Sequence, residues 1–421
     1  MRSHNYNYIL STIFFLSSMT FSFAQKVPDF INAEELKNAK FKCLEQPEIY
    51  SEEEQKYIDI LWKESLQYLE AYAVALTTSP DGNSCIDSDV ATYETVDGIS
   101  QLCVMERRDM QLMVKNIYQI LHNPEAAKAC FAARGNVDWL YSPGGELEAK
   151  SEVAKWLDRT TFQEFFETKV SDPEVKAKGY TFSENFYKMV TDEKVKTPRN
   201  FPYDVSARSL PNLWASVGWF PMYAEESERN QKNFANVRGG YAYAEILGHW
   251  GLLRIEEING QRVGAEVGMT VQAVNTLYPY HNHATSELYY TMRQPSCVNQ
   301  FKTFAIRDTN QKLTTISENA NERVVQFDTG MPNEFRMWAT SSYERDPLVY
   351  FYENTIHAFE IDGDCEENPE ENALVSIWAR SDAHEKLNDY GTTKLCECAE
   401  DPGKPAARGE KIQCHLTKLK Y

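Results

Sequence analysis

Basic residues are the first shortage of this chain. Its 421 residues include 43 Lys+Arg against 62 Asp+Glu, a formal net charge of −19. So acidic a surface repels phosphate backbones and anionic headgroups, which excludes nucleic acid and anionic lipid as partners and leaves a small substrate in a pocket open. Long apolar runs are also short. Residues 9–23 form the most extended one, interrupted by small hydroxyl side chains, and it falls below the ~20 residues that a spanning helix needs. Internal repeats and low-complexity tracts are missing as well. Cysteine is present at nine positions, but Cys396-x-Cys398 with Cys414-His415 matches no zinc-binding spacing. Stapling of the C-terminal tail is their expected role. An odd count leaves at least one thiol outside intrachain pairs, and the connectivity is not legible.

Arg2 before the apolar run and Ser22-Phe23-Ala24 at its end make the pattern of an export signal with a small-x-small cleavage site. Residues 1–24 are therefore expected to be removed near Gln25, with no following Cys to carry a lipid anchor. The expectation is an exported protein, periplasmic in a Gram-negative source, with no membrane insertion after signal removal. Disulfides are permissible there. Loss of Arg2 leaves 42 basic against 62 acidic residues. About 400 residues remain, enough for one large domain or two moderate ones.

Residues 25–200 read as a mainly helical N-terminal domain. Ser51-Glu52-Glu53-Glu54 is a capping-box start, followed by Tyr57, Leu61, Tyr68, Tyr72 and Leu76 at helical spacing. Further helices are expected at 104–121, 124–134, 146–157 and 161–170. Residues 201–236 contain Pro202, Pro211 and Pro221 beside Trp214, Trp219, Phe220 and Tyr223. Proline breaks regular elements, yet the aromatics make this an ordered connection, not a flexible linker. Strand patterns then fill 237–421, at 241–246, 252–258, 266–277, 303–307, 324–327, 334–340, 348–352 and 374–380. Asn259-Gly260 is a tight-hairpin turn. The whole is an α+β chain whose second part is a closed or sandwiched antiparallel β domain. The acidic loop 362–371 is expected to be a solvated turn.

Chemistry concentrates in His281-Asn282-His283-Ala284-Thr285-Ser286-Glu287-Leu288-Tyr289. On a strand His281, His283, Glu287 and Tyr289 share one face. They would spread over roughly 20 Å if it were straight. Barrel curvature, or a bend at 284–286, would gather them, and His357 could close the site from a neighbouring strand. Imidazole with carboxylate suits zinc, iron, manganese or nickel and not calcium. The bland alternative is a row of polar residues on a half-exposed strand.

H-x-H-x3-E on one strand with a lone His 70 residues after the Glu, in a strand-rich region, resembles the cupin superfamily and its double-stranded β-barrel. That resemblance implies His283, Glu287 and His357 as metal ligands, with His281 as a fourth ligand or a group behind them. Tyr289, and Tyr278 eleven residues before it, are similar to the cupin-type dimethylsulfoniopropionate lyases. The export signal, helical first half and length resemble their periplasmic, DddY-type branch. The substrate implied is a small zwitterion with a carboxylate at one end and a sulfonium at the other, cleaved to dimethyl sulfide and acrylate. The cofactor implied is a divalent metal, zinc by default, that binds the substrate carboxylate. Tyr289 would be the base beside the metal, or a ligand to it. A free phenol ionises near pH 10, and a nearby cation lowers that value. Tyr278 would orient substrate or share the proton. Trp338, Trp378, Trp219 and Tyr223 are candidates to face the sulfonium, although each also suits a core position. Two other readings stay open: a cupin dioxygenase or sugar isomerase, and a ligand-binding cupin without catalysis.

Overall fold

Three consecutive glutamates, 52–54, begin the longest helix, and the third of them caps it. Ser51 N–H donates to Glu54 Oε2 at 2.9 Å, and Glu54 N–H donates to Ser51 Oγ at 3.3 Å, the reciprocal pair of a capping box. The computed structural model describes residues 27–77, 93–94, 100–101, 108–134, 140–192, 195, 205–221, 239–263, 265–282, 285, 287–293, 298–306, 314–318, 322–328, 335–340, 348–351, 356–363, 373–381, 394–398 and 411–418. The helices are α1 (Ala33–Leu36), α2 (Glu52–Thr77), α3 (Arg108–His122), α4 (Pro124–Ala127), α5 (Gly145–Lys150), α6 (Glu152–Leu157), α7 (Phe162–Lys169), α8 (Pro173–Thr191) and α9 (Pro211–Ser216).

Some helices differ from expectation for local reasons. The stretch 146–157 is two helices, because Ser151 leaves helical geometry and its Oγ accepts from Ala154 N–H as the cap of α6. Only one short helix and a 3-10 turn, Lys128–Cys130, fill 124–134. Helix α8 was not anticipated; Asp172 caps it and Pro173 occupies its first turn. The expected export signal lies outside the described residues.

The strands are β1 (Phe41–Cys43), β2 (Tyr93–Glu94), β3 (Ser100–Gln101), β4 (Trp219–Pro221), β5 (Tyr241–Leu247), β6 (Ile255–Ile258), β7 (Gln261–Arg262), β8 (Ala265–Ala273), β9 (Thr276–Asn282), β10 (Glu287–Arg293), β11 (Val298–Ile306), β12 (Thr314–Glu318), β13 (Glu322–Asp328), β14 (Phe335–Thr340), β15 (Leu348–Phe351), β16 (Ile356–Gly363), β17 (Ala373–Ser381), β18 (Lys394–Cys398) and β19 (Lys411–Lys418). One sheet runs β15-β10-β17-β8-β5-β4, a second runs β12-β13-β19-β18-β9-β16-β11-β14, and β1 joins the β6–β7 hairpin. Asn259 and Gly260 turn that hairpin with positive φ, as a two-residue loop demands.

From β8 to β11, and again from β14 to β18, the chain alternates between the two large sheets. β8, β10, β15 and β17 are four adjacent strands at one end of the first, and β9, β11, β14 and β16 four adjacent strands at one end of the second. The orders β8-β17-β10-β15 and β9-β16-β11-β14 are those of a jelly roll, the double-stranded antiparallel barrel of the cupins. The segment expected as one strand over 266–277 divides at Val274 and Asn275, where Asn275 has φ 58°. That turn carries the chain from the first sheet to the second.

Alternation along the first sheet sorts its side chains. Ala242, Ala244, Ile246, Val267, Met269, Val271, Leu288, Tyr290, Met292, Val375, Ile377 and Ala379 belong to the apolar core shared with the helices. Their neighbours in sequence, including Glu245, Glu266, Thr270, Gln272, Glu287 and Thr291, are buried and polar. They take the opposite face, turned into the barrel. Tyr68 on α2 donates to the carbonyl of Gly268 on β8, fastening helix to sheet. A side chain at Gly268 would run into the Ala244 carbonyl of β5. A disulfide joins Cys43 on β1 to Cys130. Cys398 and Cys414 are register partners on β18 and β19.

Candidate active site

Two strands of opposite sheets bring the motif residues together. β9 ends at Asn282 and β10 begins at Glu287, so the motif is not one continuous strand; the chain changes sheet within it. On β9, His281 is the register partner of His357 on β16. On β10, Glu287 reaches across, and its Oε2 stands 2.8 Å from His357 Nε2. His357 is 0 % exposed and Glu287 1 %, so neither has water to solvate it. His283 and Tyr223 lie outside the described residues, and of His281 and Trp338 only the backbone is described.

The other oxygen of Glu287 is held by β17. Trp378 Nε1–H donates to Glu287 Oε1 at 2.5 Å, and Arg380 Nε–H donates to the same atom at 3.4 Å. Register makes Arg380 the partner of both Glu287 on β10 and Glu266 on β8, and its Nη1 is 4.0 Å from Glu266 Oε2. Glu245, on β5, adds a third buried carboxyl. Burial, and then the charge of Glu266, push it well above the ordinary carboxylate range.

Phenols and rings form a contact series that includes Tyr289, two residues after Glu287 on β10. Tyr289 is buried, shares a hydrogen bond with Tyr241, and packs edge-on to Phe359 at 4.7 Å between ring centroids. Tyr241 stacks on Tyr278 at 4.6 Å with 20° between the planes. Burial first, then the Glu287 charge, raise the Tyr289 phenol well above its ordinary value, while Arg380 acts the other way. Tyr241 is raised too, mainly by burial, and Thr270 shares a hydrogen bond with it.

Trp219 is not brought to this series. It is wholly buried on β4, its indole N–H donates to Trp214 O at 2.7 Å, and its ring packs edge-on to Phe186 of α8. Its register partner on β5 is Ala244, which belongs to the apolar core shared with the helices. Trp378 does reach Glu287. Its ring sits between Tyr243 and the Arg380 guanidinium, with centroid distances of 5.4 and 5.3 Å.

The chemistry of this donor set suits a divalent cation. Three carboxyl groups, of Glu245, Glu266 and Glu287, are at most 3 % exposed, and Arg380 makes an ion pair with two of them. A buried carboxylate without water needs positive charge beside it. Glu287 Oε2 and His357 Nε2 are one hydrogen bond apart, whereas tetrahedral zinc ligands stand about 3.3 Å from each other. Both atoms are of the donor types that would hold such an ion. Among the described residues no group of three metal-ligating side chains is assembled.

Residues 193–313 match the family model described as dimethylsulfoniopropionate lyase. The dimethylsulfoniopropionate lyase DddY of Shewanella woodyi is 61 % identical over 399 residues, covering 94 % of this chain and 96 % of that protein. This chain belongs to the dimethylsulfoniopropionate lyase family. Its members are carbon–sulfur lyases, in keeping with the resemblance carried by Tyr278–Tyr289 and His357. The crystal structure of the dimethylsulfoniopropionate lyase DddQ from Ruegeria pomeroyi DSS-3 covers 66 % of this chain and 92 % of that chain at 11 % identity, with a TM-score of 0.27. The cupin assignment rests on the strand order, not on that overlap.

Tyr241, Arg380, Glu266 and Glu245 were not singled out from the sequence. A signal was there for Arg380: it follows Trp378 by two on the apolar run 373–379, and a cation on a buried strand requires an anion nearby.

Proposed function

We propose that this lyase cleaves dimethylsulfoniopropionate to dimethyl sulfide and acrylate by β-elimination, in a barrel site that holds one divalent cation. The observation that supports it most is the buried Glu287–His357 contact of 2.8 Å, with the Glu287 charge felt by the phenols of Tyr289 and Tyr241. His283, Glu287 and His357 are the proposed ligands, with His281 and Tyr289 as further candidates. Zinc is the expected ion, and iron, manganese or nickel suit the same donors. When bound, the ion supplies a Lewis acid for the substrate carboxylate, against which enolate-like charge develops.

Tyr289 takes the proton from the carbon next to that carboxylate. The C–H electron pair becomes the carbon–carbon double bond, and the C–S bond breaks with its pair going to sulfur. Dimethyl sulfide leaves uncharged, acrylate remains, and the proton rests on the Tyr289 oxygen until water removes it. Burial alone keeps that phenol protonated, so positive charge beside it is what readies it for proton transfer. Tyr278 orients the substrate from β9, on the opposite sheet. The sulfonium needs aromatic faces, each worth about 0.5–2 kcal/mol. Trp378 lines that space, with Trp338 and Tyr223 as sequence-based candidates. Trp219 is too deeply packed to serve.

Export to an oxidising compartment, the periplasm, is part of the same reading. The Cys43–Cys130 disulfide supports it, because such bonds persist outside the reducing cytosol. The test of the site is metal content and product formation in Glu287→Ala and His357→Ala. Both should lose the ion and release no dimethyl sulfide. A His357→Ala protein stripped of metal that keeps full turnover would end the proposal.

A further inference from the structure

Glu287 has two oxygens, and its neighbours treat them differently. Oε1 receives Trp378 Nε1–H at 2.5 Å and Arg380 Nε–H at 3.4 Å; Oε2 faces His357 Nε2 at 2.8 Å. An indole N–H and a guanidinium only donate, so both hold Oε1 as their acceptor and neither can itself ligate a cation. Their own positions are fixed. Trp378 and Arg380 alternate on β17 beside β10, where they pair in register with Tyr289 and Glu287. The indole is packed between Tyr243 and the Arg380 guanidinium, which is itself drawn toward Glu266.

We infer that Trp378 and Arg380 are positioning residues that reserve Oε1 for themselves, so that Glu287 can offer a metal ion only its Oε2. This rests on the metal-site reading above. Glu287 then acts as a one-oxygen ligand, with its plane set by β17 before any ion arrives. The same arrangement supplies the ligand with donors behind it, which keeps Oε2 pointed at His357. Substitution of groups behind a ligand typically costs 10–100-fold in metal affinity.

The experiment measures zinc dissociation constants by competition with a chromophoric chelator, for the parent, His357→Ala, Trp378→Phe and Arg380→Met. X-ray absorption of the zinc-loaded proteins counts the carboxylate oxygens. Trp378→Phe keeps an aromatic ring and removes only the N–H. It should bind zinc 10–100-fold more weakly, with melting and circular dichroism close to the parent and a second carboxylate oxygen on the metal. Should that variant fail to fold, Arg380→Met carries the test, with the same loss of affinity expected. Parent-like zinc affinity and one-oxygen coordination in a folded Trp378→Phe or Arg380→Met would overturn the inference alone. A parent protein that binds no stoichiometric zinc, and is indifferent to His357→Ala, would overturn the metal reading and this inference with it.

Discussion

Cutting the bridge between Cys43 and Cys130 tests how the amino-terminal part is held. The two cysteines are 87 residues apart in sequence, and the loop they close contains α2 and α3. Closing a loop of that length removes about 15 cal/mol/K of entropy from the unfolded chain, or about 4.6 kcal/mol at 25 °C. Cys43 sits on the three-residue β1, which pairs with β6, and Cys130 ends a 3-10 turn; neither element is long enough to anchor the segment by itself. The double variant Cys43→Ala/Cys130→Ala should therefore lose on the order of 2–5 kcal/mol in urea unfolding followed by tryptophan fluorescence. The bridge lies on β1 and the turn after α4, away from Glu287, so turnover of the folded fraction should be unchanged. A loss below about 1 kcal/mol would show that the segment is ordered without the bridge and that the loop-closure reasoning fails here.

Tyr289→Phe should lower kcat by at least about 10² while zinc content stays near the parent's; a parent-like rate would remove Tyr289 from the mechanism. Burial and Glu266 hold the Glu245 carboxyl above its ordinary 4.5, so the unfolded chain releases this proton at lower pH than the folded one. Stability from Glu245 is then complete below about pH 4.5 and declines as pH rises beyond it. Glu245→Gln, shaped like the protonated acid, should match the parent near pH 4 and exceed it at about pH 8 in thermal melts. A difference that does not change with pH would contradict this. Gly268→Ala puts a methyl group into the Ala244 carbonyl and should cost more than about 3 kcal/mol or prevent folding; a parent-like melt would refute the packing described for β5 and β8.

Local signals in the sequence were reliable where one physical rule governs. Ser51 with Glu54 located the start of α2, and Asn259-Gly260 located the β6–β7 hairpin. Helix α8 was harder. Its stripe of Val175, Phe182, Phe186 and Val190 is helical, but Gly179 interrupts it with a residue that disfavours helix. That glycine is there because the Phe166 ring of α7 occupies the place a Cβ would take, a tertiary demand with no local trace. Strand β4 was hidden in a proline-rich stretch, since Pro221 closes an edge strand where its missing N–H is not needed. For the site, the motif spacing indicated Glu287 and His357 together, although the change of sheet between β9 and β10 is set by the jelly roll. Arg380 meets Glu287 through sheet register across 93 residues of sequence, and Tyr241 meets Tyr289 across 48 residues from a strand that does not pair with β10. Periodicity along one segment does not encode such pairings.

The most direct test of the central claim is the release of dimethyl sulfide into headspace from protein of residues 25–421 mixed with dimethylsulfoniopropionate. It is run on the parent, on chelator-stripped protein, and on stripped protein given zinc again. Release that equals acrylate formed, stops on stripping and returns with zinc is the predicted result. No release from folded, zinc-loaded protein, or undiminished release after complete stripping, would contradict it.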